Sequence, residues 1–330
     1  MAQPRFDVIG IGNAIVDVLA HADDAFLAAN GLAKGAMTLV DAGRVETLYR
    51  VMGPAVESSG GSAANTVAGL ASLGSRTAFI GKVADDAFGK VFRHDIRASG
   101  VAFDSAPAKA GAPTARCLVL VTPDAQRSMQ TYLGASVELG PEDVDEKLVA
   151  AAGITYLEGY LWDPPRAKEA FRKAAACAHA AGRLVALSLS DSFCVERHRE
   201  EFRDLVRHHV DILFANEAEI LSLWQAPDFD QALQATRALG KTAALTRSAK
   251  GSVIIGNGEV HVADPAPAAR VVDTTGAGDL YAAGFLHAQA RGLGLAACGR
   301  LGGLAAAEII GHLGARPETQ LKSLIPADLR

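Results

Sequence analysis

The sequence predicts an α/β protein with a doubly wound, mostly parallel sheet, helices on both of its faces, and a small β-sheet lid. Three observations predict this fold. Short apolar runs alternate with longer helical patterns, glycines follow several of those helical patterns, and two segments break the alternation. Alternation of this kind indicates βαβ units, whose parallel strands are covered by helices on both faces.

The apolar runs are the predicted strands, because short runs bounded by turn residues are typical of buried strands. They cover residues 6–9, 77–80, 154–157, 184–189, 212–215, 243–246 and 253–255. The predicted helices cover residues 62–73, 89–99, 165–181, 217–224, 229–239, 278–291 and 295–310. Gly100, Gly182 and Gly240 follow three of them, where a left-handed residue commonly ends a helix.

Residues 14–41 and 100–134 lack a long helix and break the alternation. They could be surface loops, but unstructured loops of that length are uncommon in compact domains. We therefore expect them to form the small β lid. Residues 1–13, 42–99 and 135–330 then form the large α/β domain.

Composition excludes several classes of protein. Lys and Arg number 32 against 37 Asp and Glu, a net charge of −5 that argues against a broad nucleic-acid surface. No apolar run approaches membrane-spanning length, and the N-terminus has no signal pattern. The four cysteines form no C-x-x-C pair, which argues against zinc or a disulfide framework. We expect a cytoplasmic monomer or homodimer that acts on a small molecule.

The strongest chemical signal is the segment 273–279, Asp-Thr-Thr-Gly-Ala-Gly-Asp, before an apolar helical run. Small residues at Gly276, Ala277 and Gly278 let backbone N–H groups at a helix N-terminus approach an anion. Asp279 would lie in the first turn, where its carboxylate could accept a proton from an attacking hydroxyl. The alternative is that Asp279 only caps the helix.

Two further motifs carry polar groups near glycines. Gly60 and Gly61 open the predicted helix that carries Asn65, whose amide can donate to and accept from a sugar hydroxyl. After the first strand, Asn13 and Asp17 fall on one face of an extended chain, where a carboxylate could bind two neighbouring hydroxyls. A capped glycine turn and a solvated strand end are the respective alternatives. A dinucleotide fingerprint is excluded because Ile15 replaces its third glycine.

Together, these motifs resemble the PfkB, or ribokinase-like, carbohydrate kinase family, and the resemblance covers essentially the whole chain. It implies a doubly wound nucleotide-binding domain with a β lid and phosphotransfer from ATP to an alcohol. By resemblance, Asp279 is the catalytic base and Gly276, Ala277 and Gly278 form the anion hole.

The resemblance also implies donor-side positions. Asn216 and Glu219 resemble the family's N-x-x-E motif, with Glu219 holding Mg²⁺ through a water. A capping arrangement is the alternative. The residues resembling the nucleotide-binding turn and its surroundings are Thr246, Arg247, Ser248, Gly251 and Thr275. The family more often has glycine in place of Arg247 or Ser248. Asp273 and Thr275 resemble positions that bind a monovalent cation such as K⁺ in some members.

Within the family, the chain is most similar to the adenosine kinase branch. The resemblance implies that the ribose is held by Asn13, Asp17, Gly61 and Asn65, and the purine by Leu39, Leu118, Leu161 and Phe193. Arg127 resembles an arginine that reaches the phosphates from the lid, although a surface arginine is the alternative. We expect adenosine as the acceptor. A free sugar such as ribose or fructose, another nucleoside, and a non-catalytic nucleoside-binding role stay open.

Overall fold

The computed structural model describes residues 3–124 and 126–329, which form a nine-stranded and a five-stranded sheet. The large sheet has the strand order β14-β13-β12-β11-β10-β9-β1-β5-β6. Its strands are β1 Phe6–Ile11, β5 Thr77–Ile80, β6 Val101–Ala102, β9 Ala152–Glu158, β10 Leu184–Ser188, β11 Ile212–Asn216, β12 Thr242–Thr246, β13 Ser252–Gly256 and β14 Glu259–Ala263. Pairing is parallel from β6 to β12 and antiparallel from β12 to β14.

The five-stranded sheet has the order β3-β8-β7-β2-β4. Its strands are β2 Ile15–His21, β3 Met37–Leu39, β4 Ala55–Gly60, β7 Ala115–Val121 and β8 Arg127–Tyr132. In β2, Val16, Val18 and Ala20 are buried in the main core, while Asp17 lies on the opposite face because successive side chains alternate. That opposite face packs against Leu313, in the segment after the last long helix.

Helices cover both faces of the large sheet, which gives two separate buried clusters. The helices are α1 Asp24–Ala29, α2 Ala42–Val51, α3 Ser62–Ser72, α4 Ala87–Ala98, α5 Glu146–Ala150, α6 Pro165–Ala180, α7 Ser192–Arg197, α8 Arg199–His208, α9 Glu217–Trp224, α10 Phe229–Arg237, α11 Ala277–Ala290 and α12 Leu295–Ile309. Aspartates such as Asp86 and Asp228 begin many of them by accepting a first-turn amide. In contrast, α3 and α11 begin at glycines without a side-chain cap.

The predicted α/β class, with a large mostly parallel sheet and a second smaller sheet, is confirmed. Each predicted strand and helix is present, with ends that differ by at most two residues. Two assignments to the large and small parts were wrong. β4 lies within 42–99 but pairs with β2 in the small sheet, and β6 lies within 100–134 but pairs with β5 in the large one. The division into a large nucleotide-binding domain and a small lid stays a prediction.

None of the helices in the described part of the chain is long and apolar enough to cross a membrane.

Candidate active site

The first turns of α3 and α11 meet beyond the carboxyl ends of the parallel strands, and Asp279 lies at their junction. Its Oδ1 accepts a hydrogen bond from the Ser62 hydroxyl at 2.6 Å, and its Oδ2 accepts one from the Asn65 amide at 3.0 Å. Burial raises the pKa of Asp279, and these two bonds and Arg316 oppose that rise. The carboxylate is therefore held in one orientation by side chains of another helix, which a simple cap of α11 would not require.

The Gly276–Gly278 segment places unpaired backbone N–H groups beside Asp279. Gly276 has a φ of 77°, and a Cβ there would lie 3.1 Å from Ala315, so the turn requires glycine. The Ala277 N–H is already bonded to the Thr274 carbonyl at 3.2 Å. Within the described part of the chain, the N–H groups of Gly276, Gly278 and Asp279 have no acceptor. These three donors are free to bind an anion at the N-terminus of α11, and the anion-hole role of the loop stays a prediction.

Asn65 and Gly61 lie where the sequence predicted them. The Asn65 side chain is 6% exposed, and its Oδ1 has no hydrogen-bond partner although its Nδ2 is engaged. A buried acceptor without a donor is costly, so this atom is suited to receive a hydroxyl of a bound molecule. Gly61 has a φ of 101°, and a Cβ there would lie 2.1 Å from the Asn13 carbonyl. Only glycine fits at that turn.

Asp17 lies on β2 with its carboxylate against Gly60, where a Cβ would come within 2.4 Å of Oδ2. Among the described residues, none donates a hydrogen bond to this carboxylate. Burial raises the pKa of Asp17 to about 6, while Arg316 and Arg127 lower it and Asp279 adds to the rise. A half-buried carboxylate without donors is suited to accept two hydroxyl hydrogens from a vicinal diol.

Asn13 does not face the cleft as we expected. It is 2% exposed, its Nδ2 donates to Glu158 Oε1 at 2.7 Å, and its Oδ1 accepts from the Ser136 hydroxyl at 2.9 Å. Glu158 also accepts the Ala63 N–H at 2.7 Å, and burial raises its pKa to about 7. Asn13 therefore supports the cleft floor through Glu158. The sequence analysis missed Glu158, which has no motif of its own in an apolar strand.

Arg127 reaches from β8 to the loop before α11. Its Nη1 lies 2.8 Å from Asp273 Oδ2, and both side chains are 8% exposed. Its Nε and Nη2 are buried and have no acceptor among the residues that the structure describes, which contradicts the surface-arginine alternative. Asp273 also accepts from the Thr275 N–H at 3.0 Å and hydroxyl at 2.7 Å, and from the Gly314 N–H at 3.1 Å. The proposed cation position at Asp273 and Thr275 thus already holds a positive charge, and K⁺ binding there stays a prediction.

Asn216 and Glu219 form the capping arrangement that the sequence left open. The Asn216 side chain accepts the Glu219 N–H at 2.9 Å, and Glu219 accepts the Asn216 N–H at 2.9 Å and Nδ2 at 2.6 Å. Burial and then the Asp191 carboxylate raise the pKa of Glu219 to about 7. Because each oxygen keeps a lone pair, the cap does not exclude contact with a hydrated cation, which would relieve the repulsion from Asp191.

The turn after β12 contains Arg247 at a position where the family more often has glycine. Its guanidinium stacks on the Phe229 ring at 3.9 Å from the centroid and bonds Glu217 at 3.1 and 3.2 Å. Gly251 has a φ of 76°, and a Cβ there would lie 2.1 Å from the Ala263 carbonyl, so this turn also requires glycine. Arg247 is therefore held by Phe229 and Glu217. Thr246, Arg247, Ser248 and Gly251 stay predicted nucleotide contacts.

Two of the four proposed purine walls are wrong. Leu118 is fully buried in the main core, because the neighbouring β7 residue Cys117 is the one that pairs with Asp17 and shares its face. Leu161 is fully buried on the other side of the large sheet. Leu39 and Phe193 are 57% and 68% exposed, so both are free to contact a ligand and stay predictions.

The family model described as "pfkB family carbohydrate kinase" matches residues 47–321. The chain belongs to the pfkB family of carbohydrate kinases. Adenosine kinase 1 of Arabidopsis thaliana is similar to this pfkB kinase, with 27% identity over 95% of this chain and 97% of the relative. Ribokinase of Arabidopsis thaliana is 31% identical over 78% of this chain and 69% of its own length.

Two solved structures are more similar to this pfkB kinase. An adenosine kinase from Sinorhizobium meliloti is 55% identical with a TM-score of 0.89, over 98% of both chains. A probable sugar kinase from Rhizobium etli is 53% identical with a TM-score of 0.90, over 97% of this chain and 98% of the other. These relatives support nucleoside or sugar kinase activity, and they do not distinguish the two acceptor classes.

Proposed function

We propose that this pfkB kinase transfers the γ-phosphoryl group of ATP to the 5′-hydroxyl of adenosine, giving AMP and ADP. The observation that carries the proposal is the position of Asp279. Its carboxylate is bonded by Ser62 and Asn65 on the acceptor side, and it lies in the same helical turn as the unpaired N–H groups of Gly278 and Asp279. A proton acceptor and an anion-binding site thus share one helix end.

The acceptor side supports a ribose. Asp17 carries a carboxylate without hydrogen-bond donors, and Asn65 Oδ1 is a buried acceptor without a donor. A ribose supplies neighbouring 2′- and 3′-hydroxyls that can donate to such groups. In this arrangement Asp17 and Asn65 orient the sugar, and Asp279 accepts the proton as the 5′-hydroxyl attacks. Because phosphoryl transfer is usually loose, positioning contributes more than the strength of the base.

The donor side supports binding of a polyphosphate. The Gly278 and Asp279 N–H groups and the helix dipole of α11 favour a negative charge at this point. Arg127 adds two buried N–H-bearing nitrogens without acceptors, Nε and Nη2. These groups would stabilise phosphate oxygens, while Arg127 stays anchored on Asp273.

Magnesium fits the donor side only as a phosphate-bound, hydrated ion. No group of three or more His, Cys, Asp or Glu side chains within residues 3–124 and 126–329 is arranged to hold a metal. Mg²⁺ commonly keeps several waters and binds through substrate phosphates and one or two carboxylates. Glu219 would contact such a water, and the ion would neutralise charge on the phosphates.

The alternative is a free sugar as the acceptor, favoured by the similarity to ribokinase and to the probable sugar kinase. A panel of adenosine, other nucleosides, ribose and fructose, with ADP release coupled to a spectroscopic signal, separates the two. We expect the highest kcat/KM with adenosine. Faster turnover of ribose or fructose would reject adenosine as the physiological acceptor while leaving the kinase chemistry intact.

A further inference from the structure

Arg316 lies near the two carboxylates of the site, in the segment that follows α12. Its Nε and Nη2 donate to the Ser59 carbonyl at 3.0 and 2.8 Å, and its Nη1 donates to the Ala64 carbonyl at 2.7 Å. Ser59 lies in β4 directly before Gly60, and Ala64 lies in the first turn of α3. The guanidinium therefore bonds the backbone before and after Gly60 and Gly61, the two glycines on the acceptor side of the site.

The charges around Arg316 are negative. It faces Asp95, Asp17 and Asp279, and Asp95 is itself bonded to the Ser59 N–H at 2.7 Å and hydroxyl at 2.6 Å. Asp95 keeps its negative charge and interacts with the guanidinium more strongly than Asp17 or Asp279 does. The other positive group near Asp17 is Arg127, and it is already paired with Asp273 at 2.8 Å.

Burial makes the charge of Arg316 important for both site carboxylates. Burial raises the pKa of Asp17 to about 6 and also raises the pKa of Asp279. The charge of Arg316 lowers both pKa values and so opposes burial. Glu158, Tyr156 and Tyr160 also interact with Asp279. A carboxyl or phenol group is either neutral or negative, so none of these three can replace the positive charge of Arg316. Burial lowers the pKa of Arg316 only to about 10, so the guanidinium stays charged at neutral pH.

We propose that Arg316 is a positioning residue for phosphotransfer: it fixes the backbone around Gly60 and Gly61 and supplies the positive charge that keeps Asp17 and Asp279 ionised. This inference rests on the proposed function, in which Asp279 accepts a proton and Asp17 holds the acceptor. Without the cation, two neighbouring, partly buried carboxylates would favour uptake of a proton, and a protonated Asp279 could not act as a base.

The test compares Arg316→Met and Arg316→Gln, which remove the charge, with Arg316→Lys, which keeps it. We expect the acid limb of the kcat/KM profile to move upward by about one pH unit in the neutral variants. In the Lys variant, the acid limb should stay at its wild-type pH. The KM for the acceptor should rise, because one ammonium cannot bond the Ser59 and Ala64 carbonyls in the same geometry. Arg270→Met is the matched control, since exposed Arg270 bonds only the Gly311 carbonyl of the same segment.

The inference would be overturned if the acid limb of the kcat/KM profile kept its wild-type pH in a folded neutral variant. It would also be overturned if the acid limb of the Lys variant moved as far as that of Arg316→Met. If neither neutral variant folds, an acid limb that moves upward by about one pH unit in the Lys variant would overturn the inference. Carboxyl ¹³C NMR titration of labelled aspartate, assigned with Asp17→Asn and Asp279→Asn, reports the same shifts without turnover. A wild-type protein inactive with every acceptor would reject the proposed function instead, and the NMR titration would still test Arg316.

Discussion

The guanidinium of Arg127, on the small sheet, lies 2.8 Å from the carboxylate of Asp273, which leads into the helix that carries Asp279. Both side chains are 8% exposed, so the pair joins the two parts of the structure across a nearly dry contact. The same guanidinium has two nitrogens without acceptors. It therefore connects the small sheet to the phosphate-binding end of α11 while retaining donors for a ligand.

Replacing Arg127 with Met should raise the KM for ATP and lower kcat, each by about tenfold or more, because charge-assisted bonds to phosphate are lost. It should also lower the free energy of unfolding by about 3 kcal/mol, since Asp273 would stay buried without its partner. Initial rates at varied ATP and urea unfolding measure the two effects. Arg50→Met on the exposed side of α2 is the control, and equal ATP kinetics in both variants would contradict the phosphate role.

Asp279→Asn should reduce kcat by on the order of 10³ with nearly unchanged affinity for the acceptor, because the amide cannot accept the proton. Single-turnover kinetics with adenosine binding by calorimetry measures both quantities. Asp228→Asn, which changes only the cap of α10, serves as a control for general effects. Undiminished turnover in Asp279→Asn would remove this carboxylate from the mechanism and favour a non-catalytic role for the motif.

Asp17→Asn should raise the KM of the acceptor by about tenfold to a hundredfold, because a neutral amide replaces an acceptor of two hydroxyl hydrogens. The variant should also change the pH dependence of stability. The pKa of Asp17 is raised to about 6 in the folded protein, so wild type loses stability as pH rises from about 4 to 6. Urea unfolding at several pH values should show that this loss is smaller in Asp17→Asn than in the exposed control Asp24→Asn.

Glu158→Gln should destabilise the protein by about 1–3 kcal/mol, because glutamine has one acceptor oxygen where glutamate has two. The side chain can then accept from Asn13 or from the Ala63 N–H, and its NH₂ group faces the other donor. The pKa of Glu158 is raised to about 7, so ionisation of the wild-type carboxyl costs stability as pH rises from about 4.5 to 7. The variant lacks that dependence. Denaturant unfolding between pH 5 and 8 measures it, with the exposed Glu142→Gln as control, and identical pH profiles would contradict the assignment.

Gly61→Ala should cost about 3 kcal/mol or more, because the new methyl would meet the Asn13 carbonyl in addition to the strain of a φ of 101°. Gly292→Ala is the matched control, since Gly292 has a φ of 71° and open space around its Cα. That variant should cost about 1–2 kcal/mol from backbone strain alone. Thermal or urea unfolding of the two variants separates steric clash from left-handed conformation, and equal losses would contradict the close approach at Gly61.

The sequence was sufficient for most of the large sheet, because seven of its nine strands contain a short apolar run that predicts a strand, whereas the short β6 and the edge strand β14 were not predicted. It was insufficient for β4, whose residues Ala-Val-Glu-Ser-Ser-Gly have little strand propensity. Pairing with β2 stabilises that strand, and pairing is a long-range property that a local pattern does not contain.

For the site, glycine-rich segments were informative because close approach and positive φ restrict the residue type at Gly61 and Gly276. Purine contacts were less predictable. Adjacent residues of β7 point to opposite faces of the sheet, so Cys117 lies on the cleft face and Leu118 lies in the core. A prediction that is wrong by one residue therefore selects a core side chain. Arg316 and Glu158 were missed because each works through backbone groups brought together by folding, and neither lies in a pattern that local sequence can reveal.

The two hydrogen bonds that orient Asp279 come from Ser62 and Asn65, on the helix that begins at the acceptor-side glycines. Reshaping that helix to admit a bulkier alcohol would therefore also alter the proton affinity of the base. Directed evolution toward new acceptors should consequently yield enzymes whose optimum pH drifts together with their substrate preference.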